Sequence, residues 1–357
     1  MNSIPWWYTE IGDNEKNYML TAFNNKCFSM GPYTQEFEER ISELMNVPYV
    51  TLTNSGTSAL IISLLSIGIK PGDEVILPAL TWIATAQAAA LLGAHVVLVD
   101  CLPRLPIIDI EGVARKITKK TKAIIPVNLN GRACDIKRLK NIAKENNIYI
   151  IEDVCKGMFS QNNNCYLGTI GDIGCFSMGM ISLLSIGYGG FLVTKNIDLH
   201  NKIRLIRDHG VVRNPEEYKY LGANYKVSDL LASIGLGQLD KLQEKIKRVC
   251  DIYKIYNEAL SENSKCNLLP VDILSGEVPL YVEAYSEQRE DLINYLNVNN
   301  IGTSRFHLPL HSARYLDSPD NFPCANELSK NAFILPSGPS QSLDNVYKCA
   351  ELINHWK

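Results

Sequence analysis

The chain has 357 residues, 46% of them hydrophobic and 20% charged, and its 35 Lys and Arg against 38 Asp and Glu leave a formal charge of −3. That length accommodates about two domains with a large buried core, and the near-neutral balance, with no cluster of Lys and Arg, argues against a nucleic-acid or anionic-membrane surface. Ten scattered cysteines form no C-x-x-C pair, so neither a disulfide scaffold nor a zinc or other metal site is read, and a reducing cytoplasm is the expected compartment.

The first residues, MNSIPWWYTEIGDNEKN, lack a basic start and an apolar core and make no signal peptide. Trp6, Trp7 and Tyr8 form an aromatic start that either anchors the terminus or lines a substrate mouth. From about residue 45 to 195, short apolar runs alternate with helical patterns. VPYVTLTNS leads into SALIISLLSIGI, DEVILPAL into TAQAAALLG, AHVVLVD into IEGVARKIT, and KAIIPVNLNG into IKRLKNIAKENN and IYIIEDV. This is the rhythm of β-α-β units and a mainly parallel sheet covered by helices. Pro71-Gly72-Asp73 closes one helix and Gly131 ends a strand.

Two uncharged stretches, Val75 to Val99 and Ile173 to Thr194, reach membrane-spanning length. Their internal Pro, Gly and Ser residues and β-branched ends favour strand–connection–strand units of a buried sheet, not a membrane segment. In the second, IGCFSM and GGFLVT are strands with no clear helix between them. A long helix is expected from Val227 to about Tyr256. The α/β architecture is therefore a large domain at 1–245, with an N-terminal arm, and a smaller C-terminal α+β domain at 246–357.

In open α/β sheets, ligands bind outside the carboxyl ends of the strands. The polar residues there are Asn54, Ser55, Gly56, Thr57, Thr81, Trp82, Asp100, Asn128, Glu152, Asp153 and Ser177. Ser55-Gly56-Thr57-Ser58 opens an apolar helix, whose free N–H groups and dipole suit a phosphate; an ordinary Ser/Thr cap reads equally well. Asp153 ends a very apolar strand, where a carboxylate needs a cation or proton donor. A protonated pyridine nitrogen is one such partner, and a salt bridge is the plainer one. Trp82 offers a flat face to a ring, or is a core aromatic. No G-x-G-x-x-G or P-loop motif is present.

In order, NSGTSAL, PGDEVILPALTWIATAQA, IIEDV, GDIGCFSM, GYGGFLVT, RDHG and NYKVSDLLASIGLGQL resemble the DegT/DnrJ/EryC1/StrS sugar aminotransferases, vitamin B6 enzymes of fold type I. FSMGPYTQEFEERISELMNVPYV and IGTSRFHLPLH through FILPS extend the likeness to nearly the whole chain. The resemblance implies pyridoxal 5'-phosphate or pyridoxamine 5'-phosphate as cofactor. It implies a nucleotide-linked sugar as acceptor, L-glutamate as amino donor, and a homodimer with shared active sites. It places Ser55, Gly56, Thr57 and Ser177 at the phosphate, Trp82 against the ring and Asp153 at the pyridine nitrogen. Asn224 would reach the phosphate in the neighbouring subunit.

The same resemblance exposes a departure. The family's Schiff-base lysine falls at Ser182, and no residue between Asp172 and Lys195 is charged. A serine hydroxyl forms no imine and is a poor base near neutral pH, and loss of a positioned base typically costs ~10²–10⁴-fold. Cofactor held without a covalent bond and very slow turnover are the expected consequences. Lys156 stands where the family usually has Gln; it pairs with phosphate, ring oxygen or carboxylate, or it is a relocated imine lysine. Asn128 replaces a frequent His.

Three readings stay open. The chain is a sugar aminotransferase whose lysine is replaced, by introduction or natural loss, so that cofactor is trapped. It is a lysine-less, dehydratase-type B6 enzyme in which His209 or Lys156 acts as base. Or it is a non-catalytic binding homologue. Arg305 and His307 are candidates for the substrate's phosphates.

Overall fold

The computed structural model describes residues 3–316, 318 and 320–356. Seven strands form the central sheet: β1 (Tyr49–Thr53), β2 (Glu74–Pro78), β3 (His95–Val99), β4 (Thr121–Ile124), β5 (Tyr149–Asp153), β6 (Ile173–Ser177) and β7 (Gly190–Thr194). Their spatial order is β1-β7-β6-β5-β4-β2-β3. The pairs from β6 through β3 are parallel, whereas β7 runs antiparallel to both β6 and β1.

Both faces of the sheet are covered, which explains the unbroken apolar runs. Val75 and Leu77 pack into a core with α3 (Gly56–Ser66) and α4 (Ala84–Ala90), while Ile76 between them packs into a core with α5 (Ile110–Lys116) and α6 (Ile136–Asn146). Ile151 and Ile150 divide between the same two cores, as the two-residue period of a strand requires. The segment 178–189 carries no helix; it turns the chain back on itself, so β7 returns against β6. At Gly174 the backbone passes so close to Gly168 that a Cβ would lie 2.2 Å from its carbonyl oxygen.

The remaining helices are α1 (Asp13–Asn24), α2 (Pro32–Met45), α7 (Ile197–Arg207), α8 (Asp229–Asp240), α9 (Leu242–Ala259), α10 (Arg289–Val298), α11 (Pro323–Asn331) and α12 (Leu343–His355). The single helix expected from Val227 to Tyr256 is two, broken at Lys241, whose φ of −103° and ψ of 8° end one helix and begin the next. The Lys241 ammonium sits 3.5 Å from Glu15 of α1. The break lets α8 lie along α1 and α2 while α9 packs on α12. Leu242 and Val249 of α9 belong to the core around α2 and α8, and Ile252, Tyr253 and Tyr256 belong to the core around α12.

A second sheet, antiparallel throughout, comprises β8 (Asn267–Leu268), β9 (Val282–Tyr285), β10 (Ser304–Arg305) and β11 (Ala332–Leu335) in the order β8-β9-β11-β10. It is tied to the main sheet behind β4. Gly131 does not end that strand, which stops at Ile124. Instead it closes a 3₁₀ turn at Leu129–Gly131 with φ +85°, and a Cβ there would meet the Val278 carbonyl oxygen at 2.5 Å. Just after this turn, the fully buried Arg132 guanidinium pairs with the fully buried Glu283 carboxylate of β9 at 2.5 Å. Among the described residues, no helix is long and apolar enough to cross a membrane.

Candidate active site

The carboxyl ends of β1, β2, β5 and β6 open into one cleft of about 530 Å³. At the end of β1, Ser55 caps α3 by accepting the Ser58 N–H at 3.0 Å, and Asn54 accepts the Ser58 hydroxyl at 2.6 Å. The next two residues, Gly56 and Thr57, line the cleft, and their N–H groups find no acceptor in the chain among the described residues. Glycine is required at 56: a Cβ would lie 2.8 Å from Ser177 Cβ and 2.9 Å from Cys155 Sγ. A helix head with free amides, a bare Cα and the Thr57 and Ser177 hydroxyls beside it make a cradle for a phosphate dianion.

Asp153 ends β5 at the floor of the cleft, 4% exposed. Its Oδ2 accepts the Thr85 hydroxyl at 2.8 Å and its Oδ1 accepts the Cys155 N–H at 3.1 Å. Burial pushes its carboxyl pKa above the ordinary value; those two hydrogen bonds and the charge of Lys156 act in the opposite direction. Among the described residues no cation makes an ion pair with it. A buried carboxylate held in place but in no ion pair is costly, and it suits a cationic ring N–H entering the cleft.

Trp82, in the turn after β2, lines the cleft 60% exposed, with its ring centroid 5.9 Å from that of His307. Its open surface is available to a flat ring. His307 is half-buried, its buried Nε2 has no hydrogen-bond partner, and desolvation followed by the nearby Lys156 charge pulls its pKa down to about 4. Lys156 also lines the cleft. Its Nζ donates to the Ile181 carbonyl oxygen, and burial lowers its pKa against the opposing pull of Cys155 and Asp153.

Of the cofactor candidates named from the sequence, seven share one cleft, Ser55, Gly56, Thr57, Trp82, Asp153, Lys156 and Ser177, and Trp6, Thr81, Arg305 and His307 line it as well. Ser182 does not line it. Its side chain is buried with Oγ unpartnered, and it borders a separate void of about 10 Å³ together with Cys155, Lys156 and Met158. Asn224 lies outside this chain's own cleft, exposed, its carbonyl oxygen accepting from Asn54 at 3.5 Å. His209 is also exposed and outside the cleft; its φ of +62° belongs to the turn in which its N–H bonds Ala223.

Three polar strand-end residues are structural. Asp100 accepts the Cys324 and Ala325 amides and so caps α11. Glu152 faces away from Asp153 and accepts the amides of Gly168, Ile170 and Gly171. Asn128, buried, donates to Glu152 at 3.2 Å. The N-terminal arm does both things considered for it: the Trp7 indole N–H anchors to the Met180 carbonyl at 3.1 Å, and Trp6 lines the cleft. Arg305 lines the rim, held by Glu290 at 2.7 Å.

Thr85 and Tyr281 were not singled out from the sequence. Thr85 lies three residues after Trp82 at the head of α4, one helical turn from a residue already selected. Tyr281 presents a buried hydroxyl with no partner to the same cleft, from an apolar run that carries no motif. Phosphate cradle, carboxylate in no ion pair and open indole face together fit a flat, cationic, phosphorylated ring, as in pyridoxal phosphate.

Comparison with known proteins agrees with that fit. Residues 9–354 match the model of the DegT/DnrJ/EryC1/StrS aminotransferase family. A GDP-perosamine synthase of Escherichia coli O157:H7 is 32% identical over 100% of this chain and 99% of its own length. One from Vibrio cholerae is 29% identical over 99% of each. Among solved structures, the Streptococcus pneumoniae protein Spr1654 in its PMP form has a TM-score of 0.92 and 25% identity, over 98% of this chain and 96% of that one.

Proposed function

The chain belongs to the DegT/DnrJ/EryC1/StrS aminotransferase family, and from that premise we propose that it holds pyridoxal or pyridoxamine 5'-phosphate in the cleft above Asp153 and transfers an amino group from L-glutamate to a keto group of a nucleotide-linked sugar. The observation that carries this reading is the buried Asp153 carboxylate, aligned by Thr85 and the Cys155 amide and in no ion pair among the described residues. When bound, the cofactor supplies the carbonyl or amine that exchanges with donor and acceptor, and a ring that draws electron density from the substrate carbon.

The protein's part is to hold and polarise. The Gly56 and Thr57 amides with the Thr57 and Ser177 hydroxyls bind the phosphate, which fixes the ring at one end. The exposed surface of Trp82 packs on its plane. Asp153 keeps a proton on the pyridine nitrogen: in this buried position an ion pair replaces the desolvation that raises its pKa, so both charged partners are favoured together. Trp6, Tyr281 and His307 narrow the cleft and exclude water, and the neutral imidazole adds no charge to compete at the ring.

The relatives named as GDP-perosamine synthases favour a GDP-linked keto sugar as acceptor. Arg305 at the rim is placed to exchange its Glu290 partner for the sugar-nucleotide's diphosphate. The exposed Asn224 suits a contact with the phosphate in a second copy, in a dimer with shared sites. The test is to incubate the purified protein with pyridoxal phosphate, L-glutamate and a GDP-linked keto sugar, and to follow amino sugar and 2-oxoglutarate by mass spectrometry. Matched amounts of both support the reading; retained cofactor with neither product contradicts it.

A further inference from the structure

We propose that Lys156 supplies the covalent amine that residue 182 cannot, condensing with the aldehyde of the cofactor. This rests on the reading of the cleft as a pyridoxal phosphate site. Lys156 is the one primary amine among the described side chains lining the cleft. It lies three residues beyond Asp153, in the turn leaving β5, so the strand that positions the ring carboxylate positions the amine as well.

Its location relative to residue 182 is the second observation. Lys156 Nζ donates to the carbonyl of Ile181, immediately before Ser182. The Lys156 side chain therefore crosses from β5 to the 178–189 segment and ends beside the position at which the resemblance places a lysine. Ser182 itself is turned away: its hydroxyl is buried and unpartnered beside a void of about 10 Å³ that Lys156 helps to wall. With the Lys156 side chain in place, a lysine at 182 would compete for the same space, and a second ammonium there would repel the first. Loss of an amine at 182 and gain of one at 156 are thus complementary changes at one end of one cleft.

The chemistry is balanced and needs no further reactant. Lys156 Nζ, once unprotonated, gives its lone pair to the aldehyde carbon and forms a C–N bond. The carbonyl oxygen leaves as water, carrying the two amine protons, and a C=N bond remains. Burial assists by lowering the ammonium pKa, which raises the fraction of free amine at neutral pH.

The experiment uses the full-length protein loaded with pyridoxal phosphate, freed of excess by gel filtration, reduced with borohydride, digested and read by mass spectrometry. The expected result is a reduced phosphopyridoxyl group on the Lys156 peptide. In Lys156→Gln, which retains the cofactor as free aldehyde, that label falls by about tenfold or more. In the double variant Lys156→Gln, Ser182→Lys, the label moves to position 182. Cofactor retained by the unaltered protein with no label on Lys156, or with label only on another lysine, overturns the inference and leaves the proposed function standing. Failure of the unaltered protein to retain any cofactor overturns both.

Discussion

Along the ends of β1, β2 and β5, each polar side chain either has a partner or lines the cleft: Ser55 caps, Asn54 holds Ser58, and Thr85 holds Asp153. The opposite wall, residues 178–189, is uncharged; it carries a buried serine hydroxyl with no partner and takes a hydrogen bond from the Lys156 ammonium at the Ile181 carbonyl. On the reading proposed above, the strand end that carries the ring carboxylate also carries the reacting amine, and the 178–189 segment offers that amine a backbone carbonyl. The holding wall is specified by strand ends and a helix head. The reacting group, on that proposal, is the amine that reaches the 178–189 wall from the end of β5.

The largest expected effect lies behind the holding wall. Arg132→Met leaves Glu283 buried and uncompensated, and should cost about 3–5 kcal/mol in urea unfolding; a small loss would mean that the wall is not braced by this pair. Next is Asp153→Asn, which keeps the shape and removes the charge. Retention of pyridoxal phosphate in equilibrium dialysis and any turnover should fall by about 10²-fold or more, whereas unchanged retention would erase the contrast between the two walls.

A pH dependence follows from His307. Its folded pKa of about 4 lies below the ordinary 6.5, so the unfolded chain binds the proton first. Its contribution to stability is complete above about pH 6.5 and is lost as the pH falls through about 4, with a slope approaching ~1.4 kcal/mol per pH unit. His307→Asn should flatten the parent's thermal midpoint across that window; identical profiles would place the imidazole in water. The smallest effect is that of Thr85→Val, which removes one hydrogen bond to Asp153, worth about 1 kcal/mol, and should weaken cofactor retention several-fold.

Much of the holding wall was legible because its signals are local. A strand end followed by Ser55-Gly56-Thr57, and Asp153 after an apolar run, are short patterns, each with a ligand reading beside a plainer structural one. The break at Lys241 was hidden because Leu239 and Leu242 continue the apolar period across it, and the turn is set by packing against α1. The reversal of β7 was also hidden, since strand direction leaves no mark on a two-residue period. Glu152 was selected with Asp153 although adjacent strand residues face opposite sides of a sheet, a rule that would have excluded it. Asp100 caps a helix more than 220 residues away in the chain, which no local pattern records.

The central claim, amino exchange in this cleft, is tested most directly by the donor half-reaction. Protein loaded with pyridoxal phosphate and freed of excess is mixed with L-glutamate, the absorbance is followed, and 2-oxoglutarate is quantified. The account predicts conversion of the cofactor to pyridoxamine phosphate with about one 2-oxoglutarate per bound cofactor. Cofactor that stays bound and unchanged, with no 2-oxoglutarate formed, would contradict it.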